Sequence, residues 1–258
     1  MIEYKTPAEV QAMRPAGAFV AQVLHTLRSE VTVGTDLLDV DARVRELVEA
    51  RGGVSCYVDY HPSFGGSPFG HYICTSVNDA VLHGLPHRYR LRDGDLVSLD
   101  LAVQVDGWVA DSAVSFVVGQ AAPQDLRLIE TCERALAAAI DVAEVGNRIG
   151  DLSATIGQVA REAGYAVNTQ FGGHGVGRTM HGEPHVPNDG RAGRGLVLRP
   201  GLVVAIEPWL MATTDRLVKD PDGWTLRSAD GSRTAHAEHT VAITPDGPLV
   251  LTDRSHLA

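Results

Sequence analysis

Basic residues are scarce in this chain and nowhere form a run: 22 Lys and Arg stand against 32 Asp and Glu, a formal net charge of −10. That balance argues against an electrostatic grip on nucleic acid or on an anionic membrane surface, both of which need clustered positive charge. Cysteine is scarcer still. The three present, Cys56, Cys74 and Cys132, have no short spacing between them, which argues against a disulfide framework and suits a reducing compartment. No apolar stretch nears the ~18 residues of a membrane span. The opening Met1-Ile2-Glu3-Tyr4-Lys5 lacks the basic-then-apolar pattern of a secretion signal. Low-complexity tracts and a separate linker are missing as well. The expectation is a soluble, cytoplasmic protein with neither nucleic acid nor membrane as a partner.

What is present is ordinary globular material, 44% apolar and 21% charged over 258 residues, enough to bury a sizeable core. Thr6-Pro7-Ala8-Glu9 is a capping box with Pro at the first helical position, predicting a helix over about 7–31. Thr35 and Asp36 start a second helix with apolar Leu37, Leu38, Val40, Val44, Leu47 and Val48, and Gly52-Gly53 stops it. Residues 57–72 are rich in Gly, Pro, Ser and aromatics and read as a shaped loop. The period then switches to two: 96–105 and 108–118 are strands joined by Asp106-Gly107, a strong hairpin signal. Pro123 opens a helix to about 143, and Asp151 or Ser153 sits near the start of a fourth helix that ends at Gly164. Strands are expected around 203–212, 224–228 and 236–243.

The order helix, helix, hairpin therefore recurs as helix, helix, strands, with a seam near 119–123. It predicts an α+β fold in which helices pack on one side of a curved antiparallel sheet. Residues 1–258 are expected to form a single pseudo-symmetric domain with halves at about 1–119 and 120–258.

Two phrases echo each other across that seam. Leu91-Arg92-Asp93-Gly94-Asp95-Leu96-Val97-Ser98-Leu99-Asp100 reads against Leu198-Arg199-Pro200-Gly201-Leu202-Val203-Val204-Ala205-Ile206-Glu207. His83-Gly84-Leu85-Pro86 is likewise matched by His181-Gly182-Glu183-Pro184. A duplicated chain that delivers His and Asp or Glu from corresponding places can converge them on one centre.

The hairpin sharpens this. If Asp106-Gly107 is the turn, Asp100 pairs with Ala113, and Asp111 lies one diagonal step away on the same face. Leu99, Leu101 and Val103 then point to the other face. Two close carboxylates repel by about 4 kcal/mol at an effective dielectric near 20, so they need a cation, a shared proton or an outward-facing, solvated position. Glu207, after the apolar run 202–206, and Glu238, entering another apolar strand, bring the set to four acids at strand edges, two per half. That is hard to reconcile with solvated surface. His174, in Phe171-Gly172-Gly173-His174-Gly175-Val176-Gly177, adds a nitrogen from a glycine-rich loop whose spacing fits neither a P-loop nor a dinucleotide fingerprint. One His with four carboxylates is a hard ligand set, suited to Mn²⁺, Fe²⁺ or Co²⁺ and poor for structural zinc.

The array Asp100-x10-Asp111, His174, Glu207 and Glu238, with His83 upstream and His181 seven residues after His174, resembles the type I methionine aminopeptidase family. Matching phrases are Ser76-Val77-Asn78-Asp79-Ala80-Val81-Leu82-His83-Gly84, the run from His174 to Pro184, Gly201 to Pro208, and Glu238-His239-Thr240. The resemblance covers nearly the whole chain. It implies the pita-bread fold and two divalent metal ions, bridged by Asp111 and Glu238, with Asp100 on one ion and His174 and Glu207 on the other. It further implies that water held between the ions attacks the first peptide bond, with Glu207 as proton shuttle. His83 and His181 would be hydrogen-bonding partners of the substrate carbonyl, leaving nitrogen or oxyanion. Cys74, Met180, Trp224 and Phe69 would line an apolar, sulfur-friendly pocket for the methionine side chain. The expected substrates are peptide and nascent-chain N-termini beginning with Met and followed by a small residue, met by a monomer in transient contact with the ribosome.

The remaining histidines His61, His71, His87, His185 and His256 carry no such pattern and read as ordinary, while His239 orients Glu238 or packs. Proline-directed aminopeptidases and dipeptidases of this fold carry Arg-x-Glu-Asp at the last ligand and usually a large N-terminal domain; here His239 follows Glu238 and the chain opens on its first helix. Type II methionine aminopeptidases insert a helical subdomain between the second His and the Glu, whereas only 25 residues separate His181 from Glu207. A catalytically inactive binding relative would have lost ligands, and all five are present.

Overall fold

The computed structural model describes residues 2–63 and 65–257. Helix α1 (Pro7–Glu30) opens on the expected capping box: the Thr6 N–H donates to Glu9 Oε2 at 2.8 Å and the Glu9 N–H to Thr6 Oγ1 at 3.3 Å. Helix α2 (Leu37–Arg51) starts at Asp36, whose carboxylate caps the Leu38 N–H, and ends at Gly52 with φ of 70°. Strands β1 (Val54–Ser55), β2 (Cys74–Val77) and β3 (Ala80–Leu82) lead to the long hairpin of β4 (Leu96–Val105) and β5 (Trp108–Val117). Asp106 and Gly107 have φ of 51° and 79°, the left-handed pair that a two-residue hairpin turn requires. β1 and β2 pair with successive stretches of one edge of β4 while β5 pairs with its other edge, all antiparallel. The loop 57–72, of which Phe64 lies outside the described residues, folds back on itself through Phe69 N–H to Tyr60 O and Gly70 N–H to Val58 O, each 3.0 Å.

The second half repeats the plan with α3 (Pro123–Asp141), α4 (Ile149–Glu162), β6 (Gly172–Gly175), β7 (Gly182–Pro187), β8 (Val203–Ile206), β9 (Trp209–Met211), β10 (Leu217–Lys219), β11 (Leu226–Ser228), β12 (Thr234–His236), β13 (His239–Thr244) and β14 (Gly247–Val250). Its main sheet has the order β14-β13-β8-β6-β7. The helices cover one side. Val20, Val23, Leu24 and Leu27 of α1 and Val40, Val44 and Val48 of α2 share a buried cluster with Leu99, Leu101 and Val103 of β4. Leu128, Cys132 and Leu136 of α3 and Leu152 and Ile156 of α4 do the same with Val204, Ile206, Val241 and Ile243. The expected α+β arrangement holds.

α4 begins at Ile149, with Asp151 near its start as expected: its carboxylate reaches back to accept the Arg148 N–H at 2.7 Å from inside the first turn. Several other boundaries differ from the sequence reading, for local reasons. α3 ends at Asp141, where the Ala143 N–H turns to Ile140 O. Trp224 precedes β11 instead of opening it, and the glycine-rich segment around His174 is a strand, β6, not a loop. Most consequential, the runs 203–212 and 236–243 are each broken, at Glu207-Pro208 and at Ala237-Glu238. Pro208 has no N–H to give to a ladder, and the two breaks face each other: Ile206 pairs with His239 before them, Trp209 with His236 after them, and the Ala237 N–H reaches Pro208 O between.

The halves are stitched where β5 meets β13. The Glu238 N–H donates to Ala113 O at 3.1 Å, and Thr240 Oγ1 both accepts the Asp111 N–H at 2.9 Å and donates to Asp111 O at 2.7 Å. A C-terminal segment crosses beneath α1, and a Cβ built on Gly17 would stand 2.2 Å from Leu251 O. Helix propensity alone favours Ala over Gly by about 1 kcal/mol, but overpacking of about 1–3 kcal/mol outweighs it. Gly17→Ala should therefore lower the thermal unfolding midpoint; an unchanged or raised midpoint would show that the segment yields.

Candidate metal centre

Asp100 sits in the middle of β4, directly opposite Ala113, and Asp111 opposite Ala102, the register expected from the turn. Their side chains share the face of β4 turned away from α1 and α2. Glu207 and Glu238 project from the two facing strand breaks, where the backbone is free of the pleat that would otherwise alternate side chains between faces. His174 comes from β6, which glycines allow to lie close between its neighbours: a Cβ on Gly173 would stand 2.1 Å from Ala205 O, and one on Gly175 2.1 Å from Glu183 O. His174 Nε2 lies 3.8 Å from Asp111 Oδ2 and 3.7 Å from Glu207 Oε1. Ligand atoms of Asp111, His174 and Glu238 fall within 4.8 Å of one another.

These five side chains line one cavity of about 270 Å³ together with His83, His181, Cys74, Met180, Trp224 and Phe69, so every residue singled out in the sequence is brought to it. The His181 ring stands edge-on to His174 at 4.2 Å between centroids. Phe69 and Trp224 meet edge to face at 5.1 Å, and the Trp224 indole N–H donates to Ser67 O at 3.0 Å. His83 follows β3 with φ of 57°, and its ring stands edge-on to Phe171. His239 points elsewhere, its Nδ1 2.8 Å from Thr252 Oγ1.

Burial sets the protonation of the site. It pushes Asp100 up to about 6 and Glu207 to about 8, the latter helped by the Asp100 charge. Asp111 and Glu238 are raised well above the usual carboxylate range, first by burial and then by neighbouring carboxylates. Burial also lowers His83 and His181 to about 4 and His174 to about 3, with His181 adding to the effect on His174. The imidazoles are therefore neutral at pH 7, as metal ligation or hydrogen-bond donation needs. Four buried acids that cannot all ionise beside neutral histidines lack positive charge, and the hard oxygen donors with one nitrogen fit a divalent cation.

Polar residues not singled out in the sequence also reach the site, among them Tyr57, His236 and His185. The Tyr57 hydroxyl donates to Asp100 Oδ1 at 2.6 Å, from 43 positions away. His236 is buried with Nε2 3.8 Å from Glu207 Oε2; its period-two relation to Glu238 was the one available hint. His185, set aside in the sequence as ordinary, lines the cavity from the edge strand β7.

The sequence profile of metallopeptidase family M24 matches residues 11–245. This chain belongs to metallopeptidase family M24. The family is metal-dependent, in agreement with the donor set. Among M24 relatives, one from Aquifex aeolicus named methionine aminopeptidase is 39% identical over 255 residues, 98% of this chain and 99% of that one. Methionine aminopeptidase 1 of Mycobacterium tuberculosis is 40% identical over 98% of this chain and 95% of its own. The crystal structure of methionine aminopeptidase from Thermotoga maritima superposes with a TM-score of 0.93 at 37% identity, covering 98% of this chain and all of that one. A prolidase from Pyrococcus horikoshii shares the fold at 23% identity and TM-score 0.76, with 64% of its chain matched.

A pH dependence follows. The raised carboxylates stabilise the metal-free fold by holding protons that the unfolded chain has released, and this contribution is lost as pH rises through their folded values. The lowered histidines act oppositely, but only below their unfolded value of about 6.5. Above 6.5 the carboxylates act alone, at up to about 1.4 kcal/mol per pH unit for each retained proton. The unfolding midpoint of the metal-free M24 protein should fall from pH 6.5 to 8, and the stabilisation by added Mn²⁺ should grow over the same interval. A midpoint that is flat or rises without metal would rule out a buried protonated cluster.

Proposed function

We propose that this chain is a type I methionine aminopeptidase, which removes the N-terminal methionine from nascent proteins and peptides and favours a small second residue. The observation that carries the reading is a single cavity in which the five ligand-type side chains meet the two histidines of the repeated His-Gly-x-Pro phrase and an apolar wall. Between His181 and Glu207 the chain forms β7, turns and β8, with no helix, which favours type I over type II. The near full-length match to relatives named methionine aminopeptidase supports the same reading. Residues 1–258 act as one catalytic domain, and three free cysteines suit work in the cytoplasm.

Two divalent ions (Co, Mn or Fe) would be held here, with Asp111 and Glu238 serving both, Asp100 one position, and His174 and Glu207 the other. When bound, such ions polarise the scissile carbonyl and acidify a water. The chain's own residues do the rest. Glu207, whose carboxyl burial tunes toward neutrality, takes the proton from the attacking water and delivers it to the leaving nitrogen. His83 and His181, neutral because they are buried, donate hydrogen bonds to the carbonyl oxygen as it gains charge. Phe69, Cys74, Met180 and Trp224, all nearly inaccessible to solvent, take the methionine side chain, whose thioether packs against aromatic edges.

The decisive assay is hydrolysis of a Met-Gly-Met-Met peptide with Mn²⁺, Co²⁺ or Fe²⁺ supplied; failure with all three refutes the proposal. Glu207→Gln should keep the fold and reduce turnover by several decades, on the scale of losing a general base and a ligand together. Near-normal turnover would remove Glu207 from the proton-transfer role. His181→Ala should lower turnover by about 10²–10³ while metal content, measured by atomic emission, stays near normal; loss of the metal instead would make His181 a ligand.

A further inference from the structure

Tyr57 is the hydroxyl that reaches the carboxylate cluster, and several contacts hold it in place. It follows β1, where the Cys56 N–H bonds Ala102 O at 3.2 Å and Ser55 Oγ accepts the Tyr57 N–H at 3.1 Å. Its backbone is thereby tied to β4, the strand that carries Asp100. Its ring packs on Phe69 at 5.5 Å between centroids, and only 7% of the residue is exposed. From there the hydroxyl lies 2.6 Å from Asp100 Oδ1 and 3.5 Å from Asp111 Oδ1. A phenol has one proton to donate, and the shorter contact shows where it goes. Asp100 therefore has a rigid donor of its own, whereas among the described residues no hydroxyl donates to the carboxylates of Glu207 or Glu238.

We propose that the Tyr57 hydroxyl is a positioning group for Asp100 and sets the metal affinity of the Asp100 position separately from that of the His174 and Glu207 position. A ligating carboxylate held at one oxygen by an outer hydrogen bond keeps a single orientation, leaving its other oxygen presented to the ion. The opposite position is held by backbone instead: His174 Nδ1 lies 3.2 Å from Gly175 O, and Glu207 is placed by the paired strand breaks. The chain thus controls its two metal positions by different means. The inference rests on the reading of Asp100 as ligand to one of two ions, and the test separates the two claims.

Mn²⁺ is titrated calorimetrically into the metal-free full-length protein and into Tyr57→Phe and Asp100→Asn. Phe keeps the ring and its packing on Phe69 and removes only the hydroxyl. The expected result is two binding phases in the unaltered protein, one of them abolished by Asp100→Asn and that same phase weakened roughly 10- to 100-fold by Tyr57→Phe, the other changing less than about twofold. If Asp100→Asn abolishes a phase that Tyr57→Phe leaves intact, the positioning role is wrong and the ligand reading stands. If Tyr57→Phe weakens both phases equally, its effect is general and the proposal falls. If Asp100→Asn leaves every phase unchanged, the ligand reading fails and the proposal fails with it.

Discussion

Everything near the centre of this molecule answers to the mutual repulsion of Asp100, Asp111, Glu207 and Glu238 in a place that water hardly reaches. Buried carboxylates in contact either keep protons or share a cation, and burial shifts all four upward accordingly. Among the described residues no Lys or Arg lines the cavity, and the nearby Arg254 offsets the shift of Glu238 only in part. The fold leaves the deficit for a ligand, and that deficit suits the site to a divalent cation.

Holding repelling groups together takes a scaffold stiff enough to resist them, and the two halves supply it differently. Asp100 and Asp111 ride on regular ladder positions of a ten-residue hairpin, so pleat and register alone bring them to one face. Glu207 and Glu238 sit where the ladder is interrupted in both strands at once. The interruption turns two residues that would alternate with buried apolar neighbours into a pair aimed at the cavity. Hydrogen bonds from Glu238 to Ala113 and from Thr240 to Asp111 then lock one half against the other.

The duplication read in the sequence survives in the backbone. Gly94 and Gly201, at corresponding places, have φ of 83° and 88°, and each is followed two residues later by the strand that leads to its carboxylate, β4 and β8. Beyond that the halves diverge. Asp100 lies within its strand and Glu207 just past the end of its own, because Pro208 stops the second ladder where Leu101 continues the first. One half thus contributes an acid held by a side-chain donor, the other an acid set just past the end of its strand.

Local chemistry was enough to read α1 and α2 with their caps, the Asp106-Gly107 hairpin, the shared face of Asp100 and Asp111, and the residue types of the site, since each depends on neighbours within a few positions. Sequence phrases also pointed to His174, Glu207, Glu238 and the paired histidines. What local chemistry could not decide was contact between distant segments. Tyr57 meets Asp100, His236 meets Glu207, His185 reaches the cavity rim, and the glycine-rich segment pairs as a strand only because Ala205 and Glu183 lie against it. Those outcomes were set by how the two sheets close on each other. The amino-acid sequence determined which groups could bind a cation, and the tertiary structure decided which of them would be buried together, because desolvation acts only once the fold has excluded the water.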